Sequence, residues 1–306
     1  MRKTYPKVSL TTLCGLFGVS RQAYYEADNH SKKTTIAHMI VLTLVKDLRS
    51  NIPMLGTRKL QVMLSDELDK HGIKMGRDKL FDLLRFHGLL MRRRRGMVKT
   101  TNSCHWLKKY PNLIIGMEPS CSEILWVSDI TYVRTLTGFS YLSLITDAYS
   151  RKIVGYSLYE TLEADGPIEA LDMAIGSRTR RNPFILTHHS DRGVQYCCEQ
   201  YVEILRREGI AISMTQNGSP YDNAVAERVN GTIKNDFLPI RMYRDHVEAK
   251  RHIVQVIRKY NELRPHASID YLTPEQAHSR EGLLPKRWKT YRKIYKKKEV
   301  STNEQV

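Results

Sequence analysis

Leu125-Trp126-Val127-Ser128-Asp129-Ile130-Thr131-Tyr132-Val133 is the stretch on which the reading of this chain turns. Its β-branched and aromatic residues mark a buried strand, yet an acid sits at its centre. An ionised carboxylate buried without a partner costs several kcal/mol. Asp129 therefore needs a chemical reason to be where it is.

Working outward, residues 125–134 and 139–147 read as strands joined by a short turn at Thr137-Gly138, and 152–157 supplies a third. That pattern predicts an antiparallel three-stranded start. Helix and strand then alternate: a helix over 166–178 with Ile168, Leu171 and Ile175 on one face, a strand over 184–187, a helix over 199–208, a strand over 210–214 and a helix over 224–234. Antiparallel strands followed by crossover helices and parallel strands predict the α/β class, a mixed sheet flanked by helices. The order is that of a ribonuclease-H-like core. A long helix over 245–262 follows, with Val247, Val254 and Ile257 on its inner side.

Upstream of this core the pattern is helical. Residues 9–26 read as a short apolar helix, a turn at Gly18 and a second helix capped by Ser20. A helix over 34–49 comes next. The run Gly56-Thr57-Arg58-Lys59-Leu60 opens another to residue 69, and after a break at His71-Gly72 a further helix spans 77–87. Apolar Leu60, Met63 and Leu64, then Leu80, Phe81, Leu83 and Leu84, give both an amphipathic face. This predicts an N-terminal all-α region, helix-turn-helix-like and DNA-binding. Arg92, Arg93, Arg94 and Arg95 follow directly, a position that suits phosphate tracking, and Arg58 joins them as a candidate DNA contact.

The predicted organisation is therefore a helical DNA-binding region over 1–95, a linker over 96–122 punctuated by Pro111, Gly116 and Pro119, a catalytic core with C-terminal helices over 123–280, and a basic tail over 281–306. Residues 286–298 carry eight basic side chains and no acidic one, which suits an extension better than a packed element.

Composition agrees with this division. The 306 residues, 41% of them apolar, suffice for about two domains. Lys and Arg number 49 against 32 Asp and Glu, a net charge of +17, so nucleic acid is the first partner to expect. No apolar run approaches the ~18 residues that span a bilayer, and the polar, basic stretch from Arg2 to Lys7 lacks the features of a secretory signal. No membrane partner is expected. Five cysteines without a CxxC pair argue against a disulfide framework and for the cytoplasm; adjacent Cys197 and Cys198 read as buried small hydrophobes, because neighbouring side chains diverge from a single tetrahedral zinc.

Two further acids complete a set with Asp129. Asp191, in Thr187-His188-His189-Ser190-Asp191-Arg192-Gly193, lies past the end of a parallel strand, where open α/β sheets place their ligands. Glu227 lies on the helix over 224–234, where Asn223, Glu227, Asn230 and Lys234 recur at helical spacing and share one face, while Val225, Val229 and Ile233 share another. In the predicted fold Asp129, Asp191 and Glu227 converge as catalytic carboxylates and metal ligands. Oxygen-only ligands select Mg²⁺ or Mn²⁺, and two such ions about 3.5–4 Å apart suit in-line displacement at a phosphodiester. Asn230 and Lys234 are candidate DNA contacts.

With these residues stand the runs His189-Ser190-Asp191-Arg192-Gly193-Val194-Gln195-Tyr196, Gly218-Ser219-Pro220-Tyr221-Asp222-Asn223-Ala224, Tyr260-Asn261 and Arg264-Pro265-His266. Together with the Gly56 and Trp126 runs, and in this order, they make nearly the whole chain resemble the DDE transposases of bacterial insertion sequences. Within these it resembles the second-frame product of insertion-sequence family three, whose core is similar to retroviral integrase. The 35 residues between Asp191 and Glu227 match that family's D,D(35)E spacing. The resemblance implies hydrolysis that exposes a 3′ hydroxyl, then attack by that hydroxyl on another phosphodiester, both at one Mg²⁺ site. It also implies a homo-oligomer on DNA and an upstream-frame protein or fusion as partner. Arg228-Val229-Asn230 and Asn235-Asp236 depart from the family's usual residues, and bear on DNA contacts more than on catalysis. A retroviral-type integrase would add a His-His-Cys-Cys zinc module, which the lack of CxxC argues against. A non-catalytic DNA-binding regulator would be expected to lose a carboxylate, and all three are present.

Overall fold

The computed structural model describes residues 7–91, 106–179, 185–216, 223–238 and 242–285. Its centre is β1 (Leu125–Thr135), the middle strand of a five-stranded sheet with β2 (Gly138–Asp147), β3 (Ile153–Tyr159), β4 (Thr187–Ser190) and β5 (Ala211–Met214), in the order β3-β2-β1-β4-β5. β1 runs antiparallel to β2, with Asp129 opposite Leu144, and parallel to β4, with Leu125 opposite Thr187. Three antiparallel strands extended by two parallel ones is the ribonuclease-H-like arrangement that the sequence predicts. Gly138 turns the first hairpin at a φ of 136°, a conformation open to glycine.

β4 lies three residues later than the predicted 184–187. The displaced residues, His188 and His189, look polar but are buried, because each ring finds a hydroxyl: His188 Nε2 pairs with Tyr201 Oη at 2.9 Å and His189 Nδ1 with Ser213 Oγ at 2.8 Å.

Four helices precede the sheet: α1 (Leu10–Leu16), α2 (Arg21–Asn51), α3 (Thr57–Lys70) and α4 (Arg77–Phe86). The two helices predicted up to residue 26 and over 34–49 are one. No Gly or Pro interrupts α2, and its mid-helix Thr34 and Thr35 turn their hydroxyls back onto His30 and Ser31 carbonyls at 2.9 Å, which leaves the ladder whole. Ser20 caps it as predicted, accepting from Ala23 N at 3.0 Å. Arg92 to Arg95 and residues 286–298 lie outside the described residues.

One sheet face is covered by α5 (Asp165–Gly176), α6 (Val194–Cys197) and α7 (Glu199–Arg207), whose Leu171, Ala174, Tyr201 and Leu205 pack with Trp126 and Ile145. The approach of α5 to β3 needs glycine: a Cβ on Gly155 would stand 2.0 Å from the Ala170 carbonyl oxygen. Cys197 is buried here, while Cys198 is half-buried.

The opposite face carries α8 (Ala224–Thr232) and α9 (His246–Leu263), and the small α10 (Pro274–His278) follows. Val229, Ile253, Ile257 and Tyr260 pack with Val133, Leu142 and Leu144 in a cluster that also contains Val41, Leu60 and Leu80 of the N-terminal helices. The inner side of α9 differs from the prediction. Val247 and Val254 are 54% and 48% exposed, whereas Ala249, Ile253, Val256 and Tyr260 join Ile257 inside. Val247 and Val254 share one line of the helix, which at ~100° per residue lies about 120° round from the middle of the buried stripe, with Ile257 at the stripe's near edge. α8 also ends sooner than predicted: from Ile233 to Phe237 the chain widens into a π-helical turn, with Leu238 N donating to the Ile233 carbonyl at 3.2 Å.

Candidate active site

Asp129 faces the α8 side of the sheet from the middle of the central strand. Both of its oxygens are held: Ile130 N donates to Oδ1 at 3.0 Å and the Asn230 amide donates to Oδ2 at 2.8 Å. Burial pushes its carboxyl up to about 7, reinforced by the negative charge of Asp191 and then of Glu227, while the Asn230 and Ile130 donors pull the other way. Asp129 thus registers both other predicted carboxylates as neighbours.

Asp191 stands one residue beyond β4. Gly193 N donates to its Oδ1 at 2.9 Å, and a Cβ on Gly193 would crowd that same oxygen at 3.0 Å. The turn that presents the acid is therefore built around a residue without a side chain. Glu227 lies in the first turn of α8, its amide bonded to the Asn223 carbonyl at 3.1 Å. Asn223 in turn donates its side-chain amide to the Ser128 carbonyl at 2.9 Å, which fastens the start of α8 to the strand position just before Asp129.

Among the described residues no three His, Cys, Asp or Glu side chains close tightly enough to form a finished metal cage. The three acids are neighbours in charge. Their donor chemistry fits a hard divalent cation: all are carboxylates, and the upward shift of Asp129 in the presence of two like charges is what a cation would relieve.

The other predicted contacts separate. Lys234, in the π-helical turn, is half-buried; burial lowers its ammonium, and the charge of Asp129 partly opposes this, so it lies near Asp129. Asn230 is 5% exposed and its amide is given to Asp129, which makes it a support of the site where a DNA contact is predicted. Arg58 stays exposed on α3 and lines a groove with Gln61, Lys74 and Arg77. Sequence reasoning assigns no role to Asn223 or Gly193. The only available signal for Asn223 was its place on the Glu227 helix face.

Two family models, both described as "Integrase core domain", match residues 119–220 and 208–274. The chain is similar to a Shigella sonnei protein of insertion element IS600, described as an uncharacterized 31 kDa protein, at 36% identity over 86% of this chain and 96% of that one. It is 30% identical to the transposase for insertion sequence element IS904 of Lactococcus lactis, over 70% of this chain and 85% of that one. It is 27% identical to the transposase InsF for insertion sequence IS3fB of Escherichia coli, over 90% and 96%.

Proposed function

From the premise that this chain belongs to the integrase-core transposases of IS3-type insertion sequences, we propose that Asp129, Asp191 and Glu227 are the carboxylates with which it cuts and rejoins DNA. The single observation that carries the assignment is Asp129: a half-buried acid in the central strand, fixed at both oxygens and acted on by the charges of the other two. These three side chains would hold Mg²⁺ or Mn²⁺, and two ions are part of the proposal. Bound there, divalent cations supply activation of the attacking oxygen and neutralisation of charge at the phosphoryl group.

The protein's own contribution is orientation. Asn230 and the Ile130 amide leave Asp129 little freedom to rotate, and the Gly193 amide does the same for Asp191. Asn223 ties the helix that bears Glu227 to the strand that bears Asp129. Lys234, beside Asp129, supplies a cation for the phosphate of the DNA strand. Element ends and target DNA are the substrates, and a homo-oligomer on DNA, together with an upstream-frame protein or fusion, completes the working assembly. Among the described residues no helix is long and apolar enough to cross a membrane, and we place the enzyme in the cytoplasm with its DNA.

Strand transfer on labelled duplexes carrying the ends of the element, with Mg²⁺, tests the assignment. Asp129→Asn, Asp191→Asn and Glu227→Gln should each lose more than the ~10–100-fold that removal of an outer support costs a metal site. Normal activity in any one of the three removes that residue from the site.

A further inference from the structure

The π-helical turn that prolongs α8 is gripped from outside the catalytic core. Met54 N, at the entry to α3, donates to the Asp236 carbonyl at 3.1 Å. The carbonyls at the end of a helix lack partners within it, so this bond satisfies one of them with the N-terminal region. The Asp236 side chain is held as well: Arg264, just after α9, reaches its Oδ2 through Nε at 2.9 Å and Nη2 at 2.6 Å, and the Arg264 side chain is 6% exposed. Arg264 Nη1 also meets the His266 ring, 2.9 Å from Nε2.

Lys59 completes the group. It lies in the first turn of α3, where a cation opposes the helix dipole, and it is half-buried. Burial and the nearby Arg264 lower its ammonium to about 8, while Asp236 works in the opposite sense. The carboxylate on the turn is thus paired with Arg264 and lies within electrostatic reach of Lys59. Around them Leu55 and Leu60 share a hydrophobic cluster with Val229, Ile233 and Phe237, so the polar grip sits on continuous packing.

We propose that Lys59, Asp236 and Arg264 are positioning residues for strand transfer: through Asp236 the N-terminal helical region sets the placement of the helix that carries Glu227 and Lys234. This rests on the reading of Glu227 as catalytic. From Glu227 to Asp236 is roughly 14 Å along the helix at about 1.5 Å per residue, and Asn223 and Asp236 are its two fixed ends. A π-helical turn is a locally adjustable stretch of helix, so it is where an anchor is needed. Breaking the pair leaves Arg264 buried and uncompensated, and the turn is the element best able to yield. The same grip gives two separate runs, Gly56 to Leu60 at the start of α3 and Arg264 to His266 after α9, a task at the helix that bears Glu227.

The test uses the full chain and three variants, Asp236→Asn, Lys59→Met and Leu205→Ala, the last a destabilised control in α7. Backbone hydrogen exchange over residues 224–237 is read by mass spectrometry. Strand transfer is read at saturating element-end duplex with Mg²⁺. Asp236→Asn and Lys59→Met should exchange faster over 224–237 and lose about tenfold in kcat with KM for the duplex unchanged, within the ~100-fold that a 1 Å misplacement can cost. Leu205→Ala should lower the melting temperature without that split. Unchanged exchange over 224–237 in the two variants, or a kcat loss no larger than that of the control at equal melting temperature, overturns the proposal. If Asp236→Asn does not fold, Lys59→Met, which keeps the Asp236–Arg264 pair, decides by the same two readings. Glu227→Gln assayed alongside separates the two claims: normal activity there sinks the catalytic reading, whatever the exchange pattern.

Discussion

Asn230 donates its side-chain amide to Oδ2 of Asp129 at 2.8 Å, across 101 residues of sequence. The bond occupies one lone pair of the acid and restrains its rotation, which matters under the proposed role because a carboxylate that holds a cation works only in the right orientation. Asn230→Ala is expected to lower strand transfer by about 10–100-fold and to raise the Mg²⁺ concentration needed for half-maximal rate, with DNA binding little changed. Mg²⁺ titrations of strand transfer beside gel-shift measurements check this. Loss of DNA binding with an unaltered Mg²⁺ response would return Asn230 to the DNA interface.

This pair also marks where the sequence stops being readable. Asp129 was legible because an acid in an apolar strand is locally out of place, and Asp191 because it follows a strand. Asn230 was legible only as a member of a polar helix face; which partner that face meets is set by how α8 lies on β1, and no local pattern records it. The shift of β4 has the same origin, since His188 and His189 become strand residues only once Tyr201 and Ser213 are folded against them. The continuity of α2 was hidden for the opposite reason. Its polar stretch around Asn29 to Lys33 has no apolar period, yet nothing in it breaks a helix.

At Gly155 the α5 helix comes so close to β3 that a Cβ would stand 2.0 Å from the Ala170 carbonyl and 2.9 Å from the Ala174 Cβ. Both neighbours belong to the helix, and backbone cannot swing aside as a long side chain can. Gly155→Ala is expected to cost at least the ~1–3 kcal/mol typical of overpacking. A urea unfolding curve with an unchanged midpoint would show that the helix shifts freely, against the close packing described.

His188 is 1% exposed and is held neutral: burial, helped by neighbouring His189, lowers its imidazole to about 3. In the unfolded chain it titrates near ~6.5. Between those values the unfolded state takes up a proton that the folded state refuses, so this stability is fully present above the unfolded value and is lost as pH falls toward the folded one. His188→Gln removes the titration. The melting temperatures of wild type and variant should converge as pH is lowered from about 7 to about 4. Parallel curves across that range would mean that His188 is not the group that charges.

Asn261 makes two bonds to one residue: its Oδ1 accepts from Ile153 N at 3.0 Å and its Nδ2 donates to the Ile153 carbonyl at 2.9 Å. Ile153 opens β3, so the amide of one α9 residue substitutes for a strand at the point where the sheet's edge begins. Asn261→Ala leaves a donor and an acceptor without partners, at about 1–3 kcal/mol for each that stays buried. Asn261→Asp is the sharper variant. It keeps an acceptor for Ile153 N but sets a carboxylate against the Ile153 carbonyl, so it should be no more stable than Asn261→Ala despite its nearly identical shape. Both should retain strand transfer per folded molecule when assayed well below their melting temperatures, because the side chain is committed to the sheet. A variant that melts like wild type but fails in strand transfer would show instead that Asn261 meets DNA, and that its bonds to Ile153 can be given up without cost.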